Sequence, residues 1–293
     1  MNLKHHASWL LLCCAIVSGG GCSASKVTLS DSGSDSTVEA SDTSDTDESS
    51  GTGSAGCGAP ASGVSTTLEV GTQSRSFVLY LPSDYDADVA YPLIFAWHGL
   101  GGSGSLAQYY FGLEGAVGSD AIIAYPNALP RADSGGETGW ELSPYGYDFE
   151  FFDAMVNELT GHLCIDEDRI FSTGHSFGGY MSNALGCYRG GIHNAIAPVA
   201  GGPPFYGDCT QAVGAWITHG KGDDTVEPSQ GQDAVARWKY TNECDDTTTP
   251  TGANNCVAYD GCTRDLQWCE HSGGHEWPGF AGGAIWEFFA AQK

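Results

Sequence analysis

Residues 169–188 read RIFSTGHSFGGYMSNALGCY. The first five, Arg169–Thr173, have the apolar and β-branched character of a strand. Phe177–Tyr188 has the composition of a helix, and Gly174-His175-Ser176-Phe177-Gly178-Gly179 joins the two. A strand that turns at once into a helix leaves no room for Cβ atoms on either side of the corner, which is why Gly stands at 174 and 178. The residue at the apex is lifted above the sheet edge beside the unpaired N–H groups that open the helix. A bare G-x-S-x-G arises by chance in a chain rich in Gly and Ser. Its position between a strand and a helix turns it into a nucleophile-elbow signal with Ser176 as the nucleophile. The competing reading makes Ser176 an ordinary helix N-cap.

Outward from this corner, strands and helices alternate. Ser76–Leu81, Leu93–Trp97 and Ala121–Tyr125 are strand-like, and so are Ala195–Val199 and Ala212–Thr218. Leu93–Trp97 is wholly apolar, as a strand covered on both faces must be. Phe149, Phe152, Val156, Leu159 and Leu163 recur at intervals of three and four, giving a helix with one buried face. Leu106–Val117, Gln232–Tyr240 and Ala284–Ala291 also read as helical. The alternation predicts an α/β fold: a mostly parallel central sheet with helices on both faces. Active groups are then expected on loops at the carboxyl ends of strands.

Three further loops carry candidate chemistry. His98-Gly99-Leu100-Gly101-Gly102 follows the strand Leu93–Trp97. Its glycines let backbone approach a reacting carbonyl, so the N–H groups of Leu100 and Phe177 are the expected oxyanion donors. His98 is read as a brace of this loop. In hydrolases of this kind the chain order is Ser, then an acid, then His. Asp223 and Asp224 follow the strand that ends near His219, and His275 lies in Ser272-Gly273-Gly274-His275-Glu276-Trp277-Pro278. Spacing alone does not separate the two aspartates. His175, His193, His219 and His271 compete with His275 for the role of base, and His175 is expected to point away from the nucleophile. Trp140, Tyr145 and Trp277, with Tyr109 and Tyr110, are candidates to line an acyl pocket, because flat rings suit an aromatic acid.

Composition sets the compartment and excludes some partners. The chain has 293 residues and a formal charge of −25, which repels phosphate backbones and argues against nucleic acid. Residues 1–22 read as an export signal whose apolar run is too short to span a membrane. Small residues precede Cys22, as at a lipoprotein cleavage site, so Cys22 is a lipidation candidate and a lipid anchor is the only expected tie to a membrane. Residues 23–56 are almost all Ser, Thr, Asp, Glu, Gly and Ala, the composition of a disordered acidic tether. Residues 57–293 form the expected catalytic domain. It holds eight cysteines: Cys57, Cys164, Cys187, Cys209, Cys244, Cys256, Cys262 and Cys269. An even set in an exported chain predicts disulfides. We expect Cys244–Cys262 and Cys256–Cys269, each adding about 3 kcal/mol by the chain-entropy estimate. The cysteine spacings are wider than those of zinc ligands, so no metal is expected although His271 and His275 lie near.

Taken together, these stretches resemble the secreted feruloyl esterase and polyhydroxybutyrate depolymerase group of the α/β-hydrolase superfamily. The resemblance spans nearly all of 57–293. It rests on Gly56-Cys57-Gly58, Arg75 to Pro82, His98-Gly99, Ala124 to Asn127, Phe151-Phe152-Asp153, Leu163 to Asp166, Arg169 to Phe171, Gly174 to Met181, His219-Gly220 with Asp223, and Gly273 to Gly279. It implies a serine carboxylic ester hydrolase with Ser176, Asp223 and His275 as its triad and no cofactor. The family pattern favours Asp223 over Asp224. Depolymerases of the group often carry Cys after the His-Gly pair, where this chain has Leu100. Its expected substrate is therefore an ester on plant polysaccharide such as feruloylated xylan, with acetyl xylan esterase and polyhydroxybutyrate depolymerase as alternatives. A non-catalytic carbohydrate-binding surface lipoprotein is the alternative from another class. The enzyme is expected to be exported and monomeric.

Overall fold

A computed structural model describes residues 53–252 and 254–292. The expected export signal, Cys22 and most of the acidic stretch lie outside the described residues. In chain order the elements are β1 (Thr67–Val70), β2 (Gln73–Tyr80), β3 (Tyr91–Trp97), α1 (Gly104–Phe111), α2 (Leu113–Val117), β4 (Ile122–Pro126), the short β5 (Leu129–Pro130) and β6 (Thr138–Gly139), α3 (Tyr147–His162), β7 (Ile165–His175), α4 (Phe177–Tyr188), β8 (Ala195–Val199), β9 (Gly214–Gly220), α5 (Pro228–Thr241), β10 (Thr248–Pro250), β11 (Cys256–Tyr259), β12 (Leu266–His271) and α6 (Ala281–Ala290).

Ten strands form one sheet in the order β1-β2-β4-β3-β7-β8-β9-β12-β11-β10. The middle, from β4 to β12, is parallel, and antiparallel pairs close both edges. Both faces of the middle are covered. On β3, Ile94 and Ala96 pack with α1, α2 and α6, while Leu93, Phe95 and Trp97 pack with α3 and α4. Helix α5 covers the far half of that second face through Ala234, Val235 and Trp238 against Ile196, Ala215 and Ile217. This two-sided burial is the physical reason β3 has no polar alternation.

The structure departs from the sequence reading in three places. The helix expected over Leu106–Val117 is two helices, because Gly112 adopts φ 62° and ψ 20°, a left-handed break between them. The cysteine-rich segment, in which no strand is expected from the sequence, is part of the sheet. It forms β10, β11 and β12, with Cys256 and Cys269 directly opposite in the antiparallel register, so that disulfide ties two adjacent strands. The remaining bridges are Cys57–Cys164, Cys187–Cys209 and Cys244–Cys262. Finally, the folded chain starts before Cys57. Gly53 pairs with Asp166, and buried Ser54 donates its hydroxyl to Leu163 O at 2.6 Å and accepts from Ile165 N at 2.9 Å. Satisfied backbone partners, invisible in the composition of 53–56, pull these residues into the domain.

Four parallel strands end at the same edge. Beyond β3 comes His98, beyond β7 Ser176, beyond β9 Asp223, and beyond β12 His275. Among the described residues no helix is long and apolar enough to cross a membrane.

Candidate active site

Ser176 has φ 58° and ψ −119°, a backbone conformation L side chains rarely adopt. It is held there by tight packing around the corner. A Cβ at Gly174 would lie 2.5 Å from the Gly178 carbonyl, and one at Gly178 would lie 1.9 Å from Trp97 O. Although Ser176 stands at the N-cap position of α4, its side chain makes no capping bond. Its hydroxyl instead lies 2.8 Å from His275 Nε2. The helix-cap reading of this serine therefore does not describe the geometry.

The other ring nitrogen, His275 Nδ1, lies 2.8 Å from Asp223 Oδ2. The carboxylate is buried, and both of its oxygens are engaged. Oδ1 accepts from Val226 N at 2.8 Å and Thr225 N at 3.0 Å, while Oδ2 also faces His219 Nε2 at 3.1 Å. Burial pushes the Asp223 carboxyl up, but the bonds from His275 and the two turn amides outweigh it and hold it below the usual carboxylate range. Asp224 is exposed, and its carboxylate reaches only Thr225 Oγ1, at 3.5 Å. Geometry thus separates two neighbours that spacing could not.

The competing histidines have other partners. His98 Nε2 accepts from Ala128 N at 3.1 Å, so its proton is on Nδ1, facing Gly99 O at 2.6 Å. It braces the loop that carries Leu100, and burial holds its pKa down. In that loop Gly101 N donates to Thr138 O and Gly102 N to Gly99 O. Gly99 comes so close to Ser176 that a Cβ there would sit 3.3 Å from the serine's own. Phe177, first residue of α4, has no intrahelical acceptor for its N–H. His219 is buried and lies 2.8 Å from Val226 O as well as against Asp223. His271 Nδ1 accepts from Gly273 N at 3.2 Å. His175 does not point away from the site, as its sequence position suggested. Its ring lies 4.8 Å from that of His275, packed there because the turn at Ser176 folds back on the sheet edge.

Two hollows meet at Leu100, whose side chain is 48% exposed. One, of about 290 Å³, is walled by Leu106, Ala107, Tyr110, Phe111 and His175. The other, of about 360 Å³, contains Ser176 and is walled by Phe177, Tyr180, Val226, Arg131 and Asp133. Of the expected aromatic lining only Tyr110 takes part. Trp140 is buried edge-on against Trp97 and donates its indole N–H to His98 O at 2.8 Å, so it supports the loop rather than the cleft wall. Trp277 is buried in a stack on Phe111, with centroids 4.0 Å apart. Tyr145 and Tyr109 stand out in solvent and line neither hollow. Tyr180 and Arg131 went unread. Tyr180 falls four residues after Ser176, hence on the same helix side, which is a signal available in the sequence. Arg131 had none. Among the described residues no group of three metal-ligating side chains gathers.

Two histidines, buried His193 and half-buried His175, make stability depend on pH. Burial, with repulsion from His275, holds His175 down to about 3, and burial holds His193 down to about 4. Below the ordinary value near 6.5 the unfolded chain takes up protons that the folded chain refuses, so stability falls as pH drops from there towards 4. Replacing His193 by Asn, which can keep a donor towards Arg189 O, should remove on the order of 3 kcal/mol of that acid-side loss. Thermal melts at pH 7 and pH 4.5 check this. Equal slopes in wild type and H193N would contradict it.

The fold and this site define a class. The chain superposes on an acetyl xylan esterase from Aspergillus awamori with a TM-score of 0.63, at 16% identity, over 78% of this chain and 98% of that one. A carboxylesterase from Bacillus cereus gives 0.51 at 14% identity, over 74% and 93%. The fold is the α/β-hydrolase fold. No protein-family model matches the chain. In sequence it is 32% identical over 257 residues to a "Probable feruloyl esterase C" of Aspergillus terreus, covering 80% of this chain and 90% of the relative. It is 30% identical over 270 residues to feruloyl esterase D of Neurospora crassa, covering 81% and 90%. The chain belongs to this feruloyl esterase family of carboxylic ester hydrolases.

Proposed function

We propose that the enzyme releases ferulic-type acids from plant polysaccharide by two-step acyl transfer. Ser176 Oγ attacks the ester carbonyl as His275 Nε2 takes its proton. Asp223 holds the ring in the tautomer that leaves Nε2 free to accept and stabilises the imidazolium that forms. The N–H groups of Leu100 and Phe177 receive the oxyanion. His275 then gives its proton to the leaving alcohol, and water repeats the sequence on the acyl-enzyme. The observation that carries the serine mechanism is the unbroken run of contacts, 2.8 Å from Ser176 to His275 and 2.8 Å from His275 to Asp223. The two hollows suit the two halves of such an ester. The apolar one beside Tyr110 and Phe111 matches an aromatic acid, and the one bearing Arg131 and Asp133 matches a hydroxyl-rich alcohol.

A panel of methyl ferulate, acetylated xylan and polyhydroxybutyrate tests the substrate. The highest kcat/KM is expected on methyl ferulate, and preference for either of the other two would replace the feruloyl assignment. Small residues before Cys22 support acylation of that thiol after export, with the acidic stretch as spacer. A C22S variant should leave the cell envelope and appear in the medium, and unchanged partitioning would count against the anchor.

A further inference from the structure

Tyr180 extends from the catalytic hollow towards the outside of the molecule. Its hydroxyl donates to Gln230 Oε1 at 3.1 Å. One side of its ring is backed by Gly202, where a Cβ would lie 2.4 Å from the ring. The ring also stacks on Phe205, with centroids 5.6 Å apart and planes 13° from parallel. Phe205 and the next residue, Tyr206, are 60% and 52% exposed.

These two residues lie between β8 and β9, in a segment without regular structure that is nonetheless tied down. The Cys187–Cys209 disulfide joins it to α4. Thr210 N and Oγ1 both donate to Cys187 O, at 2.9 and 3.0 Å. Tyr206 N donates to Tyr188 Oη at 2.6 Å. A tethered segment that holds two large rings in water is not explained by core packing, since Tyr180 is the only ring stacked on Phe205 among the described residues.

We propose that Phe205 and Tyr206 are a stacking platform for the carbohydrate chain that carries the ester, continuous with the catalytic hollow through Tyr180. The inference rests on the feruloyl esterase reading above and specifies the polymer side of that substrate. Flat rings suit the C–H faces of neutral sugar rings, and the lining of the hollow includes the Arg131–Asp133 ion pair, whose polar atoms suit hydroxyls. The charge of −25 disfavours a polyanion or an anionic membrane surface. A second protein chain is also a poor occupant. Two part-exposed rings offer at most a few hundred Å², against about 800 Å² per partner in a stable interface.

The test compares a small and a polymeric substrate in wild type and the double variant Phe205→Ala, Tyr206→Ala. The ratio of kcat/KM on feruloylated arabinoxylan to kcat/KM on methyl ferulate should fall about tenfold, mostly through KM on the polymer, the size expected from losing aromatic contacts. Phe205→Trp keeps a ring and should keep the ratio. A ratio unchanged in the double variant, or lost equally in Phe205→Trp, overturns the platform. Retardation of the Ser176→Ala protein in gels containing ferulate-free arabinoxylan reads binding without turnover. It should disappear when both rings are removed, and no retardation of the Ser176→Ala protein overturns the platform. If wild type fails on methyl ferulate yet the gel shift depends on the rings, the esterase reading fails and the carbohydrate platform stands. A change in oligomeric state on removing the rings would assign them to a protein interface and overturn the proposal.

Discussion

Ser176→Ala should lower kcat on methyl ferulate by on the order of a millionfold while leaving the fold intact. The hydroxyl is the only atom removed, and its described hydrogen-bond partner is His275. The strained φ of 58° belongs to the backbone and persists in alanine, so neither strain relief nor a new cavity shifts the melting temperature by much. A single solvent-accessible hydrogen bond is worth about 1 kcal/mol net. In the proposed mechanism the catalytic loss is far larger, because nucleophile, base and acid act as one unit. Without the nucleophile, only binding and the backbone N–H donors remain to help water attack the ester. Two readouts check the result: turnover at high enzyme concentration, and covalent labelling by a fluorophosphonate, which should vanish. A variant that keeps even a hundredth of wild-type turnover removes Ser176 from the reaction. A wild-type enzyme that fails to label would favour a hydrolase scaffold retained for binding alone.

The parts of this site written as contiguous residues were legible in the chain. Gly174 to Gly178 carries its own strand, corner and helix, because the glycines are needed where backbone meets backbone at Trp97. The wholly apolar run of β3 announced a buried parallel strand for a similar local reason. What stayed hidden depends on register between distant segments. Leu266–His271 shows little apolar alternation, yet it extends the sheet because Cys256 and Cys269 face each other and β12 runs parallel to β9. That pairing brings the loop of His275 beside the loop of Asp223. Aromatic residues were equally ambiguous. Composition cannot tell a ring that lines a cleft from one that props it up, so Trp140 and Trp277 read like Tyr110 although both are packed inside.

Asp223→Asn should cost about four orders of magnitude in kcat, whereas Asp224→Asn should stay within about twofold of wild type. The difference follows from what each oxygen of Asp223 receives. Oδ1 accepts two backbone N–H groups, and Oδ2 faces two imidazoles, His275 Nδ1 and His219 Nε2. Every neighbour is a donor. Asparagine replaces one acceptor by an NH₂ group, and either orientation sets donor against donor. With its oxygen towards the turn amides, its NH₂ meets His275. The ring can then form a bond only by losing the Nδ1 proton, which moves the proton to Nε2 and removes the acceptor that Ser176 requires. His219 cannot easily yield, because its Nε2 proton also serves Val226 O. With the amide flipped, the turn that carries residues 223–226 loses its cap. Stability should fall too, and its sign with pH is fixed: the carboxyl lies below its ordinary range, so its contribution is present above the unfolded value near 4 and is lost as pH falls through the lower folded value. The melting difference between wild type and D223N should therefore shrink in strong acid. Asp224, exposed and bonded to nothing in the site, has no route to either effect. Equal losses in D223N and D224N would mean that the carboxylate acts only through the local field, and the directional hold on His275 would have to be abandoned.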